Sequence, residues 1–176
     1  LYTVVSRGGE GAEARIVGAI GRYLFAPEER DAVLATLASP ATRLVTLTIT
    51  GAGYELLADD HEGDSAPVLL VEALDRRRRA GLSPFTVLSC DNLAENGLLA
   101  RAAVLERAEH RDPRLANWIE AHGAFPSSMV DRITPRTTAA ERARIAREFG
   151  LADRCPVLTE PFRQWVIEDS FSAGRP

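Results

Sequence analysis

Hydrophobic positions along the chain change several times between a spacing of two residues and a spacing of three to four residues. Alternation of two with β-branched side chains is typical of strands, whereas the longer spacing is typical of helices that bury one face. The pattern therefore predicts a mixed α/β protein. It places strands at residues 1–5, 15–20, 43–50, 84–88, 157–158 and 164–167, and helices at residues 27–39, 67–79, 95–110, 113–123 and 138–149.

Local signals set several of these boundaries. A glycine-rich turn at residues 8–11 predicts that the first two strands form a hairpin. Asp112 precedes a proline and is the expected N-cap of the fourth helix, and Thr138 and Glu141 have the spacing of a capping box for the fifth. Gly81 is expected to end the second helix.

Two connecting segments are predicted to lack regular structure. The glycines of residues 51–53 indicate a turn directly after the strand at residues 43–50. Residues 124–135 are polar and interrupted by Pro126 and Pro135, which disfavours a buried central strand and predicts a shaped loop.

The most informative change of pattern lies at residues 84–97, where a short apolar strand turns polar before a helical pattern begins at about Glu95. In open α/β sheets the ligand crevice lies just beyond the carboxyl ends of the strands. Ser89, Cys90, Asp91 and Asn92 are therefore the candidate functional residues. The structural alternative is that Asp91 or Asn92 caps the following helix.

Composition narrows the class of protein. A chain of 176 residues with 45% hydrophobic residues is long enough for one domain with its own core. Its 21 basic residues are all arginines and are outnumbered by 25 acidic residues, for a net charge of −4, which argues against a nucleic-acid partner. The arginine run at residues 76–79 is predicted to be a solvated helix end, with a phosphate site as the alternative.

Other residue types point to a cytoplasmic protein without a metal. The two cysteines are too few for a disulfide framework, and His61, His110 and His122 lack metal-ligand spacing and are predicted at the surface. No apolar run is long enough to span a bilayer. Leu1 lies inside a strand-like run, so we expect the chain to be a piece of a longer protein.

Three segments carry a resemblance to a known family. Ser89-Cys90-Asp91-Asn92-Leu93, the segment from Phe125 to Ile133, and Trp165-Val166-Ile167-Glu168-Asp169 occur in the order found in the mannitol dehydrogenase and fructuronate (mannonate) reductase family. The chain resembles that family over essentially its whole length. The resemblance implies a Rossmann-like domain of a zinc-independent, NAD-dependent polyol or sugar-acid oxidoreductase, with NADP not excluded.

The resemblance also implies a domain organisation. Residues 1–176 would be the later part of the dinucleotide-binding domain, and residues 156–176 would lead towards a mainly helical C-terminal domain. The glycine-rich phosphate loop and the lysine that serves as general base in the family would lie outside these residues, so we expect the isolated chain to lack dehydrogenase activity. Gly8-Gly9-Glu10-Gly11 lacks the strand–loop–helix context of a phosphate loop.

Roles for individual residues follow from the same resemblance. Asn92 would donate to the oxygen that becomes negative during hydride transfer, and Asp131 would lie on a proton path between the base and solvent. We expect the segment from Phe125 to Asp131 to meet the end of the strand before Asn92. An alternative for Asp131 is an ion pair with an arginine or a hydrogen bond that orders the loop.

Cofactor contacts are expected from Thr48, Thr50, Ser89 and Asn92, and the plain alternative for the two threonines is a β-branched strand end. The competing function is a non-catalytic nucleotide-binding or interaction module of Rossmann-like fold. A nucleotide-dependent transferase is disfavoured because it would need a complete phosphate-binding loop.

Overall fold

The structure is a computed structural model that describes residues 1–9, 11–55, 63 and 65–175, without the side chain of Glu55. His61 therefore lies outside the described residues. The described elements in chain order are β1 (Tyr2–Gly8), β2 (Gly11–Val17), α1 (Ala26–Ala38), β3 (Leu44–Leu47), α2 (Thr50–Glu55), α3 (Ala66–Arg79), β4 (Thr86–Ser89), α4 (Asn96–Arg111), α5 (Pro113–His122), β5 (Ser128–Asp131), α6 (Ala139–Phe149), β6 (Val157–Thr159) and β7 (Gln164–Ile167). The chain divides into two compact units, of which the first comprises Leu1–Tyr23 and Asp131–Gln164 and the second comprises Leu24–Val130 and Trp165–Pro176.

The first unit is a small sheet with one helix. Strands β1 and β2 form the predicted antiparallel hairpin, and β6 lies parallel to β1 on its other side. Inward-facing Val5 and Leu158 pack with Ile145 of α6 to form the core of this unit. The predicted hairpin is confirmed, but its second strand, predicted at residues 15–20, covers Gly11–Val17. The strand predicted at residues 157–158 is confirmed as β6.

The second unit contains the parallel pair β3 and β4, whose register places Leu44 beside Thr86 and Leu47 beside Ser89. Strand β4 is buried at every position, and the backbone N–H of Val87 donates to the carbonyl of Ala124 at 3.0 Å. A large apolar cluster from helices α1, α3, α4 and α5 packs with these strands; its fully buried members include Leu34, Ala73, Phe85, Val87, Ala108, Leu115 and Ile119.

The predicted helix caps are confirmed where the capping residue and the residue it binds are close in sequence. Asp112 accepts a hydrogen bond from the N–H of Arg114 at 2.9 Å at the start of α5. At the start of α6, Thr138 and Glu141 form the expected capping box. Gly81 has a φ of +69° just after α3, a conformation that suits glycine at a helix end.

Three local predictions in the second unit were wrong: a strand end, a turn and a helix cap. The strand predicted at residues 43–50 ends at Leu47, and the turn predicted at residues 51–53 lies within helix α2, which begins at Thr50 with a φ of +62°. Helix α4 begins at Asn96 after Glu95 in a left-handed conformation, and neither Asp91 nor Asn92 caps it. The Asp91 carboxylate instead binds backbone amides that follow β3.

The segment at residues 124–135 also contains more structure than the sequence predicts. Residues 128–131 form strand β5, which pairs with β7 in a two-stranded sheet. Such a short strand tolerates prolines nearby, because they lie outside its hydrogen-bonded residues.

The prediction of a solvated arginine run at residues 76–79 was wrong for Arg77. This side chain is only 3% exposed, and its guanidinium donates to the carbonyls of Ser39 at 2.5 Å, Ser83 at 2.7 Å and Thr42 at 3.1 Å. It also lies 5.5 Å from the ring centre of Phe85. The guanidinium therefore ties two connecting segments to helix α3.

The last described residues pack along the beginning of the parallel pair. The N–H of Ser172 donates to the Thr86 hydroxyl at 3.0 Å, and the Ser172 hydroxyl donates to the carbonyl of Pro84 at 3.0 Å. Arg43 donates to the carbonyl of Ala173 at 2.8 Å. Within the described part of the chain, none of the helices combines the length and the apolar character that crossing a membrane requires.

Candidate functional site

The candidate site lies in the second unit, at the carboxyl ends of the parallel strands β3 and β4. Because parallel strands end at the same edge, the residues after Leu47 and those after Ser89 are brought together. The N–H of Cys90 donates to the carbonyl of Leu47 at 2.8 Å and closes the ladder at this edge. Thr48 to Thr50 and Cys90 to Asn92 form the two sides of the candidate site.

Asp91 joins these two sides. Its carboxylate accepts hydrogen bonds from the N–H of Ile49 at 3.1 Å and from the N–H of Thr50 at 2.9 Å. A β-branched residue with positive φ is strained, so Thr50 keeps this conformation only because surrounding contacts fix it. Asp91 is thus the acceptor that satisfies the amides of Ile49 and Thr50 at the start of α2.

Tyr54 completes a ring of hydrogen bonds with Ser89 and Asp91. Its hydroxyl oxygen lies 2.8 Å from Ser89 Oγ and 2.9 Å from Asp91 Oδ2, and the N–H of Asp91 donates to Ser89 Oγ at 3.3 Å. Since a carboxylate only accepts, the tyrosine donates its one hydrogen to Asp91, and the serine hydroxyl donates to the tyrosine oxygen. Burial, and then the contacts with Asp91, raise the pKa of Tyr54 to about 12, although the Ser89 hydrogen bond lowers it.

Asn96 connects the end of β4 with the segment that precedes β5. This side chain is fully buried, and its Nδ2 donates to the carbonyls of Asp91 and Ser128, both at 2.8 Å. The Ser128 hydroxyl donates to the carbonyl of Ser89 at 2.6 Å. Residues around Ser128 therefore lie against the end of β4, as the sequence led us to expect for this segment.

Gly97 permits this approach. A Cβ atom at Gly97 would lie 2.4 Å from the carbonyl oxygen of Phe125 and 2.6 Å from the backbone nitrogen of Ser127. Only glycine lets the backbone of residues 125–127 come this close to the first turn of α4.

The predicted site residues differ sharply in exposure. Asn92, Thr48 and Thr50 have exposed side chains, and no described residue forms a hydrogen bond with the Asn92 amide. Ser89 is 0% exposed and its hydroxyl is engaged with Tyr54 and Asp91, so a direct cofactor contact would require this network to open. The cofactor contacts of these residues stay predictions.

Asp131 belongs to the first unit and has an exposed side chain. Among the described residues, nothing forms an ion pair or hydrogen bond with its carboxylate, so neither the alternative ion pair with an arginine nor the loop-ordering hydrogen bond is seen. Arg132 instead donates to the carbonyl of Glu160. The role of Asp131 in proton transfer stays a prediction.

Cys90 and the potential metal ligands also bear on what this site can do chemically. Burial raises the pKa of the Cys90 thiol, which makes Cys90 a poor nucleophile. Within residues 1–9, 11–55, 63 and 65–175, no group of three or more histidine, cysteine, aspartate or glutamate side chains is arranged to hold a metal ion.

Comparison with known proteins identifies the family of this chain. Residues 1–176 match the family model described as "Mannitol dehydrogenase Rossmann domain". The chain belongs to the mannitol dehydrogenase family. The predicted family and the predicted Rossmann-like α/β fold are thereby confirmed.

Relatives within this family are considerably longer than the chain. The mannitol 2-dehydrogenase of Aspergillus clavatus is 48% identical over 195 aligned residues, which cover 100% of this chain and 39% of the relative. The mannitol 2-dehydrogenase of Phaeosphaeria nodorum is 46% identical over 100% of this chain and 34% of the relative. The chain thus spans less than two fifths of the length of these relatives.

Solved structures agree with the fold. A substrate-free D-sorbitol dehydrogenase superposes with a TM-score of 0.93 at 41% identity, over 99% of this chain and 40% of that structure. The mannitol 2-dehydrogenase of Pseudomonas fluorescens, in a ternary complex with NAD and D-mannitol, superposes with a TM-score of 0.92 at 40% identity, over 99% and 39% respectively.

Sequence reasoning missed Asn96, Tyr54 and the acceptor role of Asp91. The pair Asn96-Gly97 at a helix start was one available signal, because a buried amide followed by a glycine suits a close backbone contact. Tyr54 carried no local signal, since its partners lie 35 and 37 residues further along the chain.

Proposed function

We propose that this chain is the Rossmann portion of an NAD-dependent oxidoreductase that interconverts a polyol or aldonate and the corresponding ketose or ketouronate by hydride transfer. The observation that carries the proposal is the exposed Asn92 amide at the carboxyl end of β4, in a chain of the mannitol dehydrogenase family. The complex of the Pseudomonas fluorescens relative with NAD and D-mannitol supports both the cofactor and the substrate class.

The residues at this edge fit the cofactor. Thr48 and Thr50 offer exposed hydroxyls after β3, at the same sheet edge as Asn92 after β4, and hydroxyl and amide groups can bind ribose hydroxyls and a carboxamide. Ligands of Rossmann folds bind beyond the carboxyl ends of the strands, where these residues lie. When bound, the nicotinamide ring takes a hydride from the alcohol carbon or returns it to the ketone carbon.

Asn92 has the central role in this proposal. As hydride leaves the alcohol carbon, negative charge remains on the substrate oxygen, and a fixed N–H donor stabilises it most in the transition state. An amide is suited to this role because it donates without titrating. Since none of the described residues occupies the Asn92 amide, it is free to bind substrate.

Proton removal needs a second group. The chain contains no lysine, so the general base that the family resemblance implies would come from outside these 176 residues. Asp131 would exchange protons between that base and solvent, and the implied helical domain would complete the substrate site. A cytoplasmic location remains the expectation, which cell fractionation tests.

The test uses the full-length protein and compares Asn92→Ala with the wild type. NADH- and NADPH-dependent reduction of D-fructose, and oxidation of D-mannitol, D-arabinitol and mannonate, identify the cofactor and substrate. We expect Asn92→Ala to lower kcat by a factor on the order of 10² to 10³. The matched control is Asn117→Ala on the exposed face of α5, which should leave kcat unchanged.

Two results would contradict the proposal. An unchanged kcat for Asn92→Ala would remove Asn92 from the reaction. No turnover of any polyol or sugar acid by the wild-type protein would favour the non-catalytic nucleotide-binding module instead.

A further inference from the structure

The Asp91 carboxylate lies in a setting that leaves its charge largely uncompensated. The residue is 8% exposed, and its two side-chain oxygens face the N–H groups of Ile49 and Thr50 and the hydroxyl of Tyr54. All of these partners are donors, which matches an ionised, acceptor-only carboxylate. They are also neutral, so they solvate the charge without cancelling it.

No cation of the described residues pairs with Asp91. Two arginines of the second unit with buried or partly buried side chains engage other groups: Arg77 binds backbone carbonyls, and Arg78 pairs with Asp75 and Asp112. The contrast with Asp75 is informative, because that equally buried carboxylate has Arg78 and Arg79 within ion-pair distance. Asp91 therefore presents a fixed negative charge at the edge of the sheet.

This charge directly adjoins the residues proposed to bind the nicotinamide and the reacting oxygen. Asp91 precedes Asn92 in sequence and holds the N–H of Thr50 at 2.9 Å. The two redox forms of the cofactor differ in charge at the ring, since the oxidised nicotinamide is a cation and the reduced ring is neutral. A fixed negative charge in partly desolvated surroundings discriminates between them.

We propose that Asp91 biases this site towards the oxidised, positively charged nicotinamide through its buried carboxylate. This assignment rests on the proposed function, because it requires that the dinucleotide binds at this edge. At an effective dielectric constant of about 20, one unit charge within about 10 Å changes an affinity on the order of ten-fold. Asp91 acts here as a positioning and electrostatic residue and takes no part in bond making.

The experiment measures the dissociation constants of NAD⁺ and NADH for the full-length protein, by calorimetry and by NADH fluorescence. Asp91→Asn keeps the shape and removes the charge, so we expect it to weaken NAD⁺ binding roughly five- to twenty-fold more than NADH binding. Asp91→Glu keeps the charge and should retain most of the wild-type ratio of the two constants.

Tyr54→Phe is the matched control for the hydrogen-bond network. It removes one donor to Asp91 but leaves the carboxylate charged. The ratio of the two constants, taken as the dissociation constant of NADH divided by that of NAD⁺, should therefore not fall. If Asp91→Asn changes both constants by the same factor, or if Tyr54→Phe lowers the ratio as much, Asp91 is only structural and the inference is overturned.

A measurement on the wild-type protein keeps the inference testable if Asp91→Asn does not fold. Benzamide adenine dinucleotide has a neutral ring of the same shape as the oxidised nicotinamide, and we expect it to bind several-fold more weakly than NAD⁺. Equal binding overturns the inference while leaving the proposed function intact. A wild-type protein that binds none of the three dinucleotides overturns the proposed function, and the inference with it.

Discussion

The side chain of Asn96 and the backbone of Ser128 bind each other twice: Asn96 Nδ2 donates to the carbonyl oxygen at 2.8 Å, and the Ser128 N–H donates to Asn96 Oδ1 at 2.9 Å. This reciprocal pair makes a buried side chain act like one rung of a β-ladder. It fixes the segment before β5 against the start of α4, next to the end of β4 where the candidate site lies.

Asn96→Ala should destabilise the protein by about 2–4 kcal/mol. The change leaves the N–H and the carbonyl of Ser128 buried without these partners, whereas the carbonyls of Ser89 and Asp91 keep hydrogen bonds from the Ser128 hydroxyl and the Leu93 N–H. Urea unfolding measures the difference. Exposed Asn117→Ala is the control, and a loss below about 0.5 kcal/mol for Asn96→Ala would contradict this account.

Gly97→Ala tests the close approach of residues 125–127 to helix α4. Alanine favours a helix over glycine by about 1 kcal/mol, so propensity alone predicts stabilisation. The added Cβ would lie 2.4 Å from the Phe125 carbonyl oxygen, and backbone on both sides must move. We expect the steric overlap to outweigh the gain in helix propensity, so the free energy of unfolding should fall by about 1–3 kcal/mol.

The matched control is Gly51→Ala in helix α2, where a Cβ atom meets nothing within 4 Å. Differential scanning calorimetry should show this change to be neutral or stabilising. A Gly97→Ala protein as stable as Gly51→Ala would mean that the backbone of residues 125–127 yields without cost.

Arg77→Met should destabilise the protein by about 2–4 kcal/mol, although methionine fills much of the same apolar space. The change leaves the carbonyls of Ser39, Thr42 and Ser83 without the guanidinium that binds them. Chemical denaturation measures the loss. Arg76→Met on the same helix removes only an exposed pair with Glu72, which also binds Arg30, and should cost less than about 1 kcal/mol.

The features that could be predicted from the sequence are those whose partners are close along the chain. The hairpin of β1 and β2, the Asp112 cap and the Thr138–Glu141 box each depend on residues within one turn or one loop, and all three are present. Hydrophobic spacing then located nearly every other helix and strand, because each element buries one side in a core.

The errors arose where a distant partner decides the local structure. Asp91 looked like a cap for the helix after it, but its carboxylate binds amides 41 and 42 residues earlier, which ends β3 at Leu47 and starts α2 at Thr50. Arg77 looked solvated because no local pattern shows carbonyls 35 and 38 residues away. For the site, the sequence located the edge and Asn92, but not the Asn96 and Tyr54 contacts that support it.

Asp131→Ala tests the proposed proton path in the full-length protein. If Asp131 passes protons between the base and solvent, its removal should flatten or shift the pH dependence of kcat, because such profiles report groups that titrate in the complex. Steady-state rates across the pH range measure this. Asp131→Asn should behave like the alanine variant, whereas an unaltered pH profile in both would assign Asp131 to loop structure.

Tyr54→Phe tests the buried ring of Tyr54, Ser89 and Asp91 through alkaline stability. Burial raises the pKa of Tyr54 from 10.0 to about 12, so the folded protein holds this proton more tightly than the unfolded chain. The resulting stabilisation is fully present below pH 10 and is lost as the pH rises towards about 12. The free energy of unfolding of the wild type should therefore fall more steeply over this window than that of Tyr54→Phe.

The 176-residue chain is suited to this measurement, because it contains no lysine whose titration would overlap this pH window. Tyr23→Phe is the matched control: its side chain is 78% exposed, so its removal should leave the slope of stability against pH unchanged. Tyrosinate absorbance in the near ultraviolet gives a second measurement, in which the ionisation of Tyr54 near its raised pKa of about 12 in the folded wild type should be missing from Tyr54→Phe. If both variants and the wild type lose stability in parallel, the folded protein does not hold the Tyr54 proton more tightly than the unfolded chain does.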